Sequence, residues 1–235
     1  MKKYILIFLL IFSNSFSLKI LTEDSPPGSF YKNGFLTGSM VEIVREIQKK
    51  VGDTSEITVY PWSRAYNLLE TSDDVALFAT TRTAERETKF KWVGPIDKVT
   101  WIFVGKKDNN IKINKLEDAK KVKRIGAYRG DARAQFLENN GFKNVSLENT
   151  PEILFNLLHK NRYDLIITSE AGLNTHPKNL GIASSEFEIE YLIKSYFLYI
   201  AFSKGVSDDT IKKWQNALNE LNNEGVVAKI INKYK

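Results

Sequence analysis

Short apolar runs alternate with amphipathic stretches along this chain, and the alternation predicts its elements. Leu18 to Thr22 reads as a strand, which Glu23, Asp24, Ser25, Pro26 and Pro27 break. Phe30 and Tyr31 follow in that loop, ahead of a turn at Asn33 and Gly34. Met40, Val44, Ile47 and Val51 recur at helical spacing, with Ile43 filling the stripe and Gly52 closing the helix. Ser39 and Glu42 have the spacing of a capping box. Glu56 to Tyr60 is a second strand, and Pro61 then opens a helix carrying Trp62, Arg64, Tyr66, Leu68 and Leu69. Asp74 to Ala79 has the length and branching of a third, buried strand. This β-α-β-α-β order implies a parallel sheet with right-handed crossovers.

The second half repeats the scheme. Val99 to Val104 is an aromatic, β-branched strand, and Asn114 to Val122 reads as a helix capped by the asparagine. Lys123 to Tyr128 is a strand, Gly130 and Asp131 open a helix through Leu137, and Val145 to Leu147 is a short strand. Thr150 and Pro151 start a helix as cap and first residue. Asp164 to Thr168 is a buried strand, followed by Ser169 and Glu170. A second aromatic strand, Ser195 to Phe202, mirrors the one at 99–104, and the final helices present Trp214, Leu218 and Leu221. Two matching strands flanking an inserted unit predict a double crossover between two α/β lobes.

Composition narrows the class. Lys2 and Lys3, an apolar core from Tyr4 to Phe12 and small residues to Ser17 have the layout of a secretory signal peptide, cleaved after Ser17. The apolar part is shorter than the roughly 20 residues that span a bilayer. With no cysteine there is neither a lipid-anchoring thiol nor a disulfide framework, so the expected product is a free soluble protein of the periplasm. The net charge of +6 is scattered among acids without an arginine-rich tract, which points away from nucleic acid.

The candidate chemistry lies where three strand ends converge, at residues 23–31, 62–64 and 80–86. Open α/β sheets hold ligands at such carboxyl ends. Arg86 is the central candidate, because a guanidinium grips a carboxylate through two parallel hydrogen bonds. Thr81 and Thr83 offer hydroxyls beside it, and Thr83 is placed to cap a short helix. The competing reading puts Arg82 and Arg86 on a solvated helix face. Phe30, Trp62 and Tyr128 are candidate apolar walls, whereas Trp101, Tyr196 and Phe197 read as core. Arg129 and Arg133 read as solvated.

In these motifs the chain resembles the family 3 extracellular solute-binding proteins that feed amino-acid ABC transporters, over residues 18–235. Pro26, Pro27 and Phe30 match a Pro-Pro-x-x-Phe loop after the first strand, and Gly38, Ser39 and Met40 fall where a Gly-Phe-Asp-like element opens the first helix. The strongest match is Thr81 to Arg86, a Thr-x-Thr-x-x-Arg turn, followed by Phe90 to Pro95. The resemblance implies a type II periplasmic-binding-protein fold, with two α/β lobes joined by two crossing strands. It divides the chain into the signal peptide at 1–17, first lobe at 18–103, second lobe at 104–194, and a return strand with C-terminal helices at 195–235. It assigns the ligand carboxylate to Arg86. It brings Gly130, Asp131 and Ala132 to the same anion, with Asp131 and Ala132 standing where the family has hydroxyl residues. The family's ammonium-binding aspartate is Ser169 here, and Glu170, one residue on, is the substitute candidate.

The expectation is a monomeric, periplasmic protein that captures a small carboxylate ligand, a polar amino acid first, and delivers it to an ABC permease. No cofactor, metal or catalytic step is expected. One alternative is a periplasmic enzyme of the cyclohexadienyl-dehydratase type, disfavoured because His159 is read on a helix and His176 in a loop at 174–179, away from the cleft. The other is a sensing module for a sensor kinase.

Overall fold

In a computed structural model, which describes residues 18–107 and 109–234, the chain begins with β1 (Lys19–Thr22), whose Ile20 and Leu21 are buried. The signal segment expected at 1–17 lies outside the described residues. A hairpin of β2 (Phe30–Lys32) and β3 (Phe35–Thr37) turns at Asn33 and Gly34, both at positive φ. Helix α1 (Ser39–Val51) buries the Met40, Ile43, Val44 and Ile47 stripe and stops at left-handed Gly52. The capping box does not form. Gly38 is the N-cap, and Ser39 is buried inside the first turn. Glu42 accepts instead from Lys233 Nζ at 2.7 Å and from the Tyr234 hydroxyl, because the C-terminal segment docks there.

β4 (Ile57–Val59), α2 (Trp62–Thr71), β5 (Val75–Thr81) and the single turn α3 (Ala84–Glu87) follow. β6 (Lys91–Lys106) is far longer than the strand expected at 99–104, since it absorbs the segment from Lys91 to Pro95. The helix expected at 114–122 shortens to a 3₁₀ segment, Leu116–Lys121. There the Asp118 carboxylate, not Asn114, satisfies the free amides, accepting from the N–H of Asn114 and Lys115 at 3.2 Å each.

The second lobe contains β7 (Ile125–Tyr128), α4 (Ala132–Asn139), β8 (Val145–Glu148), α5 (Pro151–His159), β9 (Leu165–Ser169) and α6 (Glu170–Asn179). Thr150 caps α5 and Ser169 caps α6 through their side chains. Residues 174–179 are helical, not a loop, with Pro177 tolerated in the last turn. β10 (Phe187–Phe202) returns, and α7 (Asp208–Asn223) and α8 (Val226–Lys233) close the chain.

The main sheet runs β4-β1-β5-β10-β6-β9-β7-β8. β1 pairs in parallel with β4 and β5, and β7 with β8 and β9, as β-α-β crossovers require. The two 16-residue strands β6 and β10 pair antiparallel along their length. The C-terminal part of β10 reaches β5, while the C-terminal part of β6 reaches β9. That shared pair joins the strands of both lobes into one sheet. Its register shifts where Leu198 and Ile200 face Asp97 and Val93.

Helices α1, α7 and α8 bury Ile43, Ile47, Trp214 and Leu218 against Ile20, Phe78 and Ile200. A second cluster joins Leu21, Trp62, Leu69 and Leu77 of the first lobe to Tyr128, Leu154 and Phe155 of the second. Each fully buried aliphatic side chain contributes about 1.5–3 kcal/mol. Continuous apolar packing from Trp62 to Tyr128 therefore holds the two lobes against each other. Phe197, expected in the core, is 54% exposed, since alternate positions of a strand face opposite ways.

Candidate functional site

A cavity of about 80 Å³ lies where the ends of β1, β5, β7 and β9 meet the middle of the β6–β10 pair. A groove outside it shares two residues with it, Arg86 and Asp131. The walls are set by local backbone. Ala79, at φ 62°, lies at the irregularity where β5 pairs with β10 and lines the cavity. Such a bulge re-aims the residues after it, here Thr80 and Thr81.

Arg86 is not on a solvated face. Its residue is 6% exposed, while Arg82 pairs with Glu87 at 2.5 Å. Among the described residues, the Arg86 guanidinium donates to the carbonyls of Thr81 and Gly130, both at a long 3.4 Å. Its carbon stands 4.6 Å from the Tyr66 ring centroid and 5.5 Å from that of Trp62. A buried cation with five donors and two stretched bonds retains much of its capacity for an anion.

Thr81, Trp62, Tyr128 and Asp131 line the same cavity as Arg86. Trp62 opens α2, and its indole Nε1 donates to the Gly130 carbonyl at 2.8 Å. The backbone N–H of Trp62 donates to the Tyr128 hydroxyl at 3.3 Å. Gly130 is at φ 73°, and it lines the outer groove rather than the cavity. Asp131 is the N-cap of α4, accepting from the Arg133 N–H at 2.7 Å. The Arg133 side chain folds back onto it through two bonds of 2.6 and 3.0 Å. Burial opposes ionisation of Asp131, yet Arg133 outweighs it and holds the carboxyl below its usual range.

Besides Gly130, four expected residues fall elsewhere. Thr83 stands at the N-cap position of α3 without a side-chain bond to its free amides, and faces the outer groove. Phe30 packs edge-on against Tyr234 in the hairpin, 6.3 Å between centroids. Ala132 is buried behind the cavity, beside Trp101 and Phe136. Glu170 is exposed as the first residue of α6, because a strand end and a helix start turn neighbouring side chains apart. Ser169 lines the cavity instead, its Oγ accepting from the Gly172 N–H at 3.1 Å.

Other residues join the wall that were not expected as ligand contacts. Glu23 and Asp24 line the cavity where the proline loop was expected to contribute Phe30. Their adjacency to the first strand's end was the available signal. Burial, followed by the nearby Asp131 carboxylate, pushes Glu23 up to about 8, and Arg133 and a bond with Tyr128 oppose the shift. Burial and Glu152 likewise raise Asp24, against the pull of His176. Arg133, expected in solvent, is drawn in by Asp131. His176, expected in a distant loop, lines the cavity from α6 with Nδ1 2.7 Å from Glu152 Oε1. Trp101 is buried as expected and also forms part of the wall.

The chain belongs to the bacterial extracellular solute-binding proteins, family 3, whose profile matches residues 18–235. It is 26% identical over 222 residues to the probable amino-acid-binding protein YxeM of Bacillus subtilis (strain 168), covering 91% of this chain and 81% of that protein. An ancestral arginine-binding protein bound to arginine superposes with a TM-score of 0.79 at 25% identity, covering 92% of this chain and 97% of the other. A histidine kinase sensor domain with similarity to periplasmic binding proteins superposes with a TM-score of 0.84 at 19% identity, over 93% and 95% of the two chains, a likeness of fold. The architecture is thus the two-lobed periplasmic-binding-protein fold. Among the described residues no helix is long and apolar enough to cross a membrane.

Proposed function

We propose that this protein captures a small amino acid in the periplasm and delivers it to an ABC importer. The observation that carries the reading is Arg86, a buried guanidinium in the interlobe cavity whose hydrogen bonds among the described residues are two long ones to carbonyls. A ligand carboxylate would take its remaining donors bidentately, with the Thr81 hydroxyl beside it. Trp62 and Tyr128 would wall the apolar part of the ligand.

The lobes in this reading are 18–103 with 195–235, and 104–194, hinged where β6 and β10 cross. Ligand entry requires the contacts of Trp62 and Arg86 with Gly130 to open, and closure around the ligand is what a permease would recognise. Nothing in the reading requires a covalent change in the ligand, and the protein acts as a monomer.

The test is a thermal-shift panel of amino acids and plain carboxylates on the purified protein, with Arg86→Ala alongside. A ligand at 100 times its Kd adds about 2.7 kcal/mol. Stabilisation by an amino acid, lost in Arg86→Ala, supports the reading. A hit that survives the substitution sinks the role of Arg86, and a mass change in the recovered ligand sinks the binding-only mechanism.

A further inference from the structure

We propose that Asp131 sets which ligands the cavity admits: it serves Arg133 as an internal counter-ion, so that the site takes ligands with one carboxylate and turns away those with two. The inference rests on the reading of Arg86 above and adds to it the charge class of the ligand.

The described residues lining the cavity include two arginines, Arg86 from the first lobe and Arg133 from the second. Their partners differ. Among the described residues, Arg86 donates to two carbonyls at 3.4 Å. Arg133 donates through Nε and Nη2 to the two oxygens of Asp131 at 2.6 and 3.0 Å. That is the bidentate geometry a ligand carboxylate adopts on a guanidinium. The Arg133 N–H also donates to Asp131 Oδ1, at 2.7 Å, so one carboxylate holds both the side chain and a free amide of α4. Helical residues two apart do not face each other. The pair forms because Asp131 is the extended cap, set just after the left-handed turn at Gly130, and Arg133 folds back onto it. The side chains of Arg133 and Asp131 are only 17% and 12% exposed, so salt screens them little.

A second ligand carboxylate could reach the Arg133 guanidinium only by displacing Asp131. The exchange would trade one carboxylate for another and leave Asp131 in the wall without its cation. A buried charge that loses its partner is strongly disfavoured. The surroundings add to the penalty, since Glu23 and Asp24 stand in the same wall and Glu23 faces Asp131. A ligand with two carboxylates would therefore find one open guanidinium and bury its other charge among acids. A ligand of the same shape whose second group is a neutral amide makes no such demand. Asp131 thus excludes the second carboxylate by already occupying its seat.

Calorimetric titration of the purified protein tests this with two matched pairs, glutamine against glutamate and asparagine against aspartate. The members of each pair have nearly the same shape and differ by one carboxylate. Wild type is expected to bind the amide at least about tenfold more tightly than its acid partner. Asp131→Asn keeps an N-cap oxygen for the Arg133 N–H and removes the charge. It should move the amide-to-acid ratio at least about tenfold towards the acid. Asp131→Ser, which also caps a helix, should act in the same direction. Asp131→Asn combined with Arg133→Met should lose the gain, because the freed guanidinium is what receives the second carboxylate.

Amide binding that is lost in Arg86→Ala, with a ratio unchanged in both Asp131→Asn and Asp131→Ser, would overturn this inference alone. Wild type binding the acids as tightly as the amides would do the same, as would a gain that persists without Arg133. Binding of none of the four amino acids, by wild type or variants, would remove both this inference and the function it rests on.

Discussion

The indole Nε1 of Trp62 and the carbonyl oxygen of Gly130 meet at 2.8 Å, one residue from each lobe. Arg86 donates to the same oxygen from 3.4 Å. A single carbonyl thus accepts from two side chains of the opposite lobe. It lies beside the boundary between the cavity and the outer groove, which Asp131 lines on both sides. The positive φ of Gly130, 73°, is a conformation in which a side chain is rarely accommodated.

Trp62→Phe keeps an aromatic ring against Tyr66, whose centroid is 5.7 Å away, and removes the cross-cleft donor. The loss of one hydrogen bond of this kind costs about 1 kcal/mol. In a protein of this length that lowers Tm by about 2–4 °C. Small-angle scattering of the ligand-free variant should give a larger radius of gyration than wild type. Equal radii and equal Tm would mean that the bond does not hold the lobes together.

Glu152 contributes stability that depends on acid pH. The hydrogen bond from His176 holds its carboxyl below the usual range of a glutamate, against the opposing effect of partial burial. A lowered carboxylate pKa stabilises the fold above the unfolded value and loses that contribution as pH falls through the folded one. Glu152→Gln should therefore be less stable than wild type at pH 6–7, and the gap should close below pH 4.5. The carboxylate is about a third exposed, so solvent screening limits the gap to about 1 kcal/mol or less. Urea unfolding of both proteins across this range gives the answer, and a gap that widens on acidification would contradict it.

Gly38 is tied to the loop that carries Glu23. A Cβ at this position would sit 2.3 Å from the Gly28 carbonyl oxygen and 2.8 Å from the Ser29 nitrogen, at a φ of 126°. Both obstacles are backbone, so neither can swing aside. Gly38→Ala should cost more than about 2 kcal/mol. The Tm should fall by about 4 °C or more. A variant with wild-type Tm would show that this loop shifts freely.

Much of the architecture was legible because it rests on local rules. The Ile43, Val44 and Ile47 stripe, the Thr150–Pro151 start of α5 and the turn at Asn33 and Gly34 depend on spacing and on backbone preference, and each forms as expected. The errors share a different cause. Glu42 left its capping box because Lys233 and Tyr234, nearly two hundred residues away, competed for it. The segment 91–95 became strand because β10 offered it a partner. His176 entered the cavity wall because Glu152, on a neighbouring helix, holds its ring.

The candidate site divides along the same line. Arg86, Thr81, Trp62, Tyr128 and Asp131 were named from strand ends and from the family motif, and all line one cavity. Glu170 and Phe30 were not placed there, since a one-residue change at a helix start or in a hairpin turns a side chain to the other side. By itself the sequence determined the alternation of the main strands and helices, the family, and the arginine just after β5, all of which short-range patterns encode. Only the tertiary structure decided that Asp131 takes Arg133, that Glu152 takes His176, and that Glu23 stands near Asp131 and Tyr128 in the cavity wall. Charge pairing across a closed cleft depends on distances between segments far apart in the chain, and no local pattern records those.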